Sequence, residues 1–124
     1  MNKSDLKRIN KAAIAKMQEC VSELKKQLPG KTVLEKSRIL AKKSQLEMQV
    51  NAALMTDAHL QAGEVVVDLS EKDITALEKT AQKIDAKIVT GLKLEALLQT
   101  IPELIEASND VSTIISQHTA KSTA

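Results

Sequence analysis

The chain has 124 residues, 43% hydrophobic and 27% charged, so it can bury a core and is not compositionally disordered. It contains no Phe, Tyr or Trp, which excludes base-stacking platforms, aromatic cages for cations and tyrosine chemistry. Net charge is only +2, but residues 1–62 carry twelve Lys/Arg against six Asp/Glu, while residues 63–124 carry six against ten.

Without rings, Leu, Ile, Val, Met and Ala must fill the core, and these suit helix-on-helix seams. Three glycines and two prolines punctuate the whole length, which favours long helices and few loops. The expectation is an all-α helical bundle in a single domain. It is built on a long antiparallel helical hairpin (1–62, basic), an extended connector (63–69), a smaller acidic helical unit (70–117) and a frayed tail (118–124).

The first helix is expected from about Asp5 to Leu28, capped by Ser4 and ended by Pro29-Gly30. Ile14, Met17, Val21, Leu24 and Leu28 step by 3, 4, 3, 4, an a/d seam; Leu6, Ile9 and Ala13 extend it less regularly.

Thr32-Val33-Leu34-Glu35 is a capping box, and no breaker follows before Gly63, so a second helix spans about Val33 to Ala62. It carries two apolar rows of seven-residue spacing: Ile39, Leu46, Ala53 and Leu60, and Leu34, Ala41, Met48, Met55 and Ala62. Two residues turn a helix by about 200°, so these rows lie far apart around the axis. One stripe suffices for an amphipathic helix; two predict burial on two sides, within the chain or between subunits.

Val65-Val66-Val67 favours extended backbone, read as a connector rather than as a strand pairing with a second subunit. Ser70 caps a third helix, with Ile74, Leu77, Ala81, Ile84 and Ile88 as its stripe and Thr90-Gly91 as its stop. A short helix from Lys93 to Gln99 follows. Thr100-Ile101-Pro102-Glu103 then opens a last helix, from about Ile101 to Gln117, with a potential break at Ser108-Asn109-Asp110.

No motif demands chemistry. Gly30-Lys31-Thr32 ends like a phosphate-binding loop, but position 25 is Lys and a helix precedes it, so it reads as a turn and an N-cap. Asp57 and His59 point apart on a helix, and His118 lies near the tail, so no metal site is expected. Cys20 is alone, which rules out an internal disulfide, and it reads as a half-buried structural thiol. No catalytic residue, cofactor or metal ligand is therefore assigned. No apolar run approaches the 18 residues of a membrane span, and no apolar segment of secretory type follows the first residues. A cytoplasmic location is expected, with export lacking a cleaved signal left open.

What remains is an expected non-enzymatic protein–protein interaction module, such as an adaptor, secretion-type chaperone, regulator or assembly component. Leu34, Ala41, Met48, Met55, Ile39 and Leu46 are its candidate contact residues, and the expected partner is another protein, with a homodimer as the leading form. The alternative is a nucleic-acid-associated protein gripping the phosphate backbone through Lys7, Arg8, Lys11, Lys36, Arg38, Lys42 and Lys43. Lysines outnumber arginines sixteen to two, which argues against bidentate base reading.

Overall fold

Each of the first three helices starts where a short polar side chain holds a free backbone N–H. The computed structural model describes residues 2–62, 65–66 and 69–120. Among these are four helices: α1 (Lys3–Gln27), α2 (Val33–Gln61), α3 (Glu71–Ala86) and α4 (Leu94–Gln117). A two-residue antiparallel pairing joins β1 (Val65–Val66) to β2 (Thr119–Ala120). The all-α bundle expected from the composition is the observed fold.

The cap of α1 is Asn2, not Ser4. The Asn2 side chain accepts from the Asp5 N–H at 2.9 Å, and the Asp5 carboxylate accepts from the Asn2 N–H at 3.1 Å. Ser4 would place Lys7 at the return position, and a lysine has no oxygen to offer. At α2 the expected box is present: Thr32 accepts from the Glu35 N–H at 3.2 Å and Glu35 accepts from the Thr32 N–H at 3.1 Å. The Thr32 N–H and the Thr32 hydroxyl both donate to the Glu35 carboxylate and hold it below its ordinary pKa. Ser70 accepts from the Asp73 N–H at 3.1 Å at the start of α3.

Two boundaries depart from the periodicity. Helix α3 ends at Ala86, and Lys87 is extended at φ −69°, ψ 125°. The side-chain period then changes from 3.6 to 2, so Val89 turns inward and Ile88, expected in the buried stripe, is 69% exposed. Further on, α4 is one helix with Pro102 inside it, where two helices were expected. Leu97, Leu98, Ile101 and Leu104 all lie in one buried cluster, which a break at Thr100 would open. The Thr100 hydroxyl donates back to the Ala96 carbonyl at 3.0 Å instead of capping. Ser108-Asn109-Asp110 does not break the helix either; Ser108 is fully buried, and its hydroxyl accepts from the Gln49 amide at 3.2 Å.

Helices α1 and α2 run antiparallel about a tight turn that uses Gly30 at φ +78°. Far from that turn, the Asn10 amide donates to the Ala53 carbonyl at 2.9 Å. Helix α4 runs beside α2 in the same direction. Arg38 meets Glu95 at the turn end, Gln49 meets Ser108 midway, and the Thr56 and Ser112 hydroxyls lie 3.2 Å apart farther on. Helix α3 climbs along α1, and the extended segment after it is pinned where Lys16 donates to the Lys87 carbonyl and Gln27 to the Leu92 carbonyl. Thus α1 and α4 pack on each other and on both remaining helices, and α2 and α3 flank that pair.

The core falls into two clusters along the bundle. One, nearer the turn, holds Met17, Cys20, Leu24, Ile39, Leu46, Leu97 and Leu104; the other holds Leu6, Ile9, Leu60, Leu77, Ile84 and Ile115. The tail expected to fray is instead placed at its start. His118 Nε2 lies 2.9 Å from Asp73 Oδ2, and Thr119 and Ala120 pair with Val66 and Val65. The valine segment therefore finds its partner in the same chain at these two residues. The rest of the expected connector (63, 64, 67 and 68) and of the tail (121–124) lies outside the described residues.

Candidate interaction surface

The two rows of α2 meet different fates. Ile39, Leu46, Ala53 and Leu60 are wholly buried against α1 and α4. Ile39 and Leu46, expected as partner contacts, are thus occupied by the chain's own core and are not offered to a partner. The other row faces away: Leu34 is 73% exposed, Met48 72% and Met55 64%, and Ala41 and Ala62 are exposed too. With α3 on the far side of the α1/α4 pair, none of the described helices covers that row.

A third row went unrecognised in the periodicity. Val33, Leu40, Glu47, Leu54 and Gln61 also recur every seven residues, and Val33, Leu40 and Leu54 are exposed. The signal was available but interrupted by Glu47, whose carboxyl is held low by the Lys43 ammonium 2.5 Å away. This row flanks the Met48 row by about one residue's rotation, 100°. Beside Leu54 a shallow groove between α1 and α2 is lined by Val21, Lys25, Glu47 and Val50. Beside Met55 a second groove, between α2 and α4, is lined by Thr56, His59, Ser112 and Ser116. The apolar face of α2 is therefore bordered by polar and small residues.

The basic residues do not form one patch. Lys7, Arg8 and Lys11 lie on the start of α1, whereas Lys36, Arg38, Lys42 and Lys43 lie on the start of α2. Asn10 sits opposite Ala53, so the two groups are separated along the hairpin by on the order of 25 Å at 1.5 Å per residue. Several are also engaged. Arg38 makes a two-pronged contact with Glu95 at 3.0 and 3.3 Å, which raises the guanidinium pKa; Lys43 pairs with Glu47, and Arg8 lies 3.7 Å from Asp5.

Cys20 is fully buried, and that burial, followed by the charges of Glu19 and Glu23, pushes its thiol up to about 11. A nucleophilic cysteine needs the opposite shift. Asp57 is buried and its Oδ2 accepts from the Gln61 amide at 2.7 Å. Among the described residues no three His, Cys, Asp or Glu side chains converge as metal ligands, and no helix is long and apolar enough to cross a membrane.

No protein-family model matches the chain, and neither does any curated protein or solved structure.

Proposed function

We propose that the chain is a non-enzymatic helical interaction module, of the adaptor, secretion-type chaperone, regulator or assembly-component kind, which works by packing the outer face of α2 against a helix of another protein. The observation that carries this reading is the uncovered row Leu34–Ala41–Met48–Met55. Monomeric proteins scatter single apolar residues over their surfaces, but an aligned row bordered by polar groups marks an interface. Burying three large side chains yields about 5–8 kcal/mol, which alone barely meets the lower estimates of the cost of association. The flanking Val33, Leu40 and Leu54 are needed to exceed it. Thioethers adapt to the shape of a partner, which suits Met48 and Met55 to the centre of such a contact.

Oxidation footprinting tests the proposal. In dilute purified protein, mild peroxide should oxidise Met48 and Met55 while sparing Met17, which is fully buried. In extract of the source cells, or in concentrated protein, Met48 and Met55 should become protected. Equal oxidation of both in every condition would remove the α2 face from consideration as an interface.

A further inference from the structure

We infer that the occupant of the α2 face is the α2 face of a second copy of this chain, running antiparallel about a two-fold axis near Met48 and Asn51. This rests on the reading of that face as an interaction surface and names its partner.

Four observations select this arrangement. First, the row keeps a seven-residue spacing from Leu34 to Ala62. On a straight helix such a row drifts by about 20° per heptad, so only a long helix wound slightly about α2 stays on it throughout. A loop or a compact patch would leave it after one or two turns.

Second, the side chains are graded in size along the face. Leu34, Met48 and Met55 are large, whereas Ala41 and Ala62, and the neighbouring Ser37, Ser44 and Ala58, are small. Reversing one copy sets the Met55 end against Ala41 and Ser44, and Leu34 against Ala58 and Ala62. A parallel pair would set large on large and small on small in every layer, leaving strain and gaps, whereas the antiparallel pair sets like on like only where Met48 meets its copy at the axis. An isologous contact of this kind is the commonest closed symmetry.

Third, charge follows the same polarity. The first half of α2 carries Lys36, Arg38, Lys42 and Lys43 against Glu35 and Glu47, whereas from Met48 onward Asp57 is its one formally charged side chain. Antiparallel pairing keeps the two cationic halves apart, and it also opposes the helix dipoles. Fourth, α2 is long enough. A stable interface takes about 800 Å² from each partner. Spread along a 29-residue helix, or about 43 Å, that is a band about 19 Å wide. A helix with its side chains is about 10–12 Å across, so such a band takes in the groove of α2 and α4 beside Met55 as well as α2 itself.

Single cysteines and a short bis-maleimide read the geometry, with the wild-type chain as control for Cys20. Met48→Cys should cross-link to itself near the axis, as should Asn51→Cys. Leu34→Cys should not, because its copies lie about 40 Å apart in this pairing, but a mixture of Leu34→Cys and Ala62→Cys should. Solution mass should double at high micromolar concentration and return to the monomer value in Met48→Lys. Self-linkage of Leu34→Cys would make the pair parallel and overturn the inference. A strict monomer at high micromolar concentration would overturn it as well. If Met48 and Met55 are nevertheless protected in cell extract, the interaction face stands and only the identity of its occupant falls.

Discussion

Cys20 and Asn10 show how burial assigns a role that residue type leaves open. The 3, 4, 3, 4 spacing puts Val21 in the apolar seam and Cys20 beside it, yet Cys20 is wholly buried and Val21 only partly so. The difference is one residue, about 100° of rotation, and Cys20 joins the cluster formed by α1, α2, α4 and Val89. Because the folded state favours the protonated thiol, its pKa rises from 9.0 to about 11. The stability this contributes is fully present below pH 9 and is lost as pH rises through about 11. Unfolding titrations should therefore show a decline across that window which Cys20→Ala lacks, and native Cys20 should resist thiol reagents at neutral pH. Rapid labelling of the folded chain at pH 7 would contradict the burial. Asn10 reads as an ordinary polar residue in a charged helix. It is fully buried, and its amide donates to Ala53 in the facing helix, so a slip of α1 along α2 would break the bond.

Helix α2 is where periodicity was most informative and least decisive. Both apolar rows were legible, and so was their separation around the axis. Which one meets the core was not, because Leu and Met at either row satisfy the same pattern. The structure buries the Ile39–Leu46 row, and a pair of substitutions separates the two. Leu46→Ala should cost about 2–5 kcal/mol, the loss of a buried leucine with its cavity. Met48→Ala, measured in dilute protein, should change stability by less than about 0.5 kcal/mol. Chemical denaturation checks both. Equal losses would mean that the outer row is covered within the monomer. Helix α4 teaches the complementary lesson: its capping signal at Thr100 to Glu103 is real as a local preference but is overridden where Leu97, Leu98, Ile101 and Leu104 share one cluster.

Across the molecule, the antiparallel hairpin sends the two basic groups to opposite ends. A linear count of charge merges them; the turn at Gly30 separates them. A rod-like duplex lying on either end would meet three or four cations, several already paired with acids. If the chain binds generic duplex at low salt, log K against log salt should fall with a slope no steeper than about −3.6, at about −0.9 per phosphate contacted. A slope near −6 would show that both groups act together and would favour the nucleic-acid reading. The acidic second half supplies part of the internal compensation, through Glu95 to Arg38 and through Glu103 to Lys87.

Helical class, the hairpin turn, and the starts of α2 and α3 depend on contacts within three or four residues, so a reader of the linear chain has all the information they need. The cap of α1 belongs with them, since Asn2 and Asp5 bond across three residues. The side of α2 that stays wet, the continuity of α4 through Pro102, and the pairing of Val65-Val66 with the tail belong to a different order of interaction. Each turns on surfaces brought together from 50 or more residues apart. A local capping preference of about 1 kcal/mol yields to the burial of several leucines at about 2 kcal/mol each, and only the assembled bundle shows where that burial occurs.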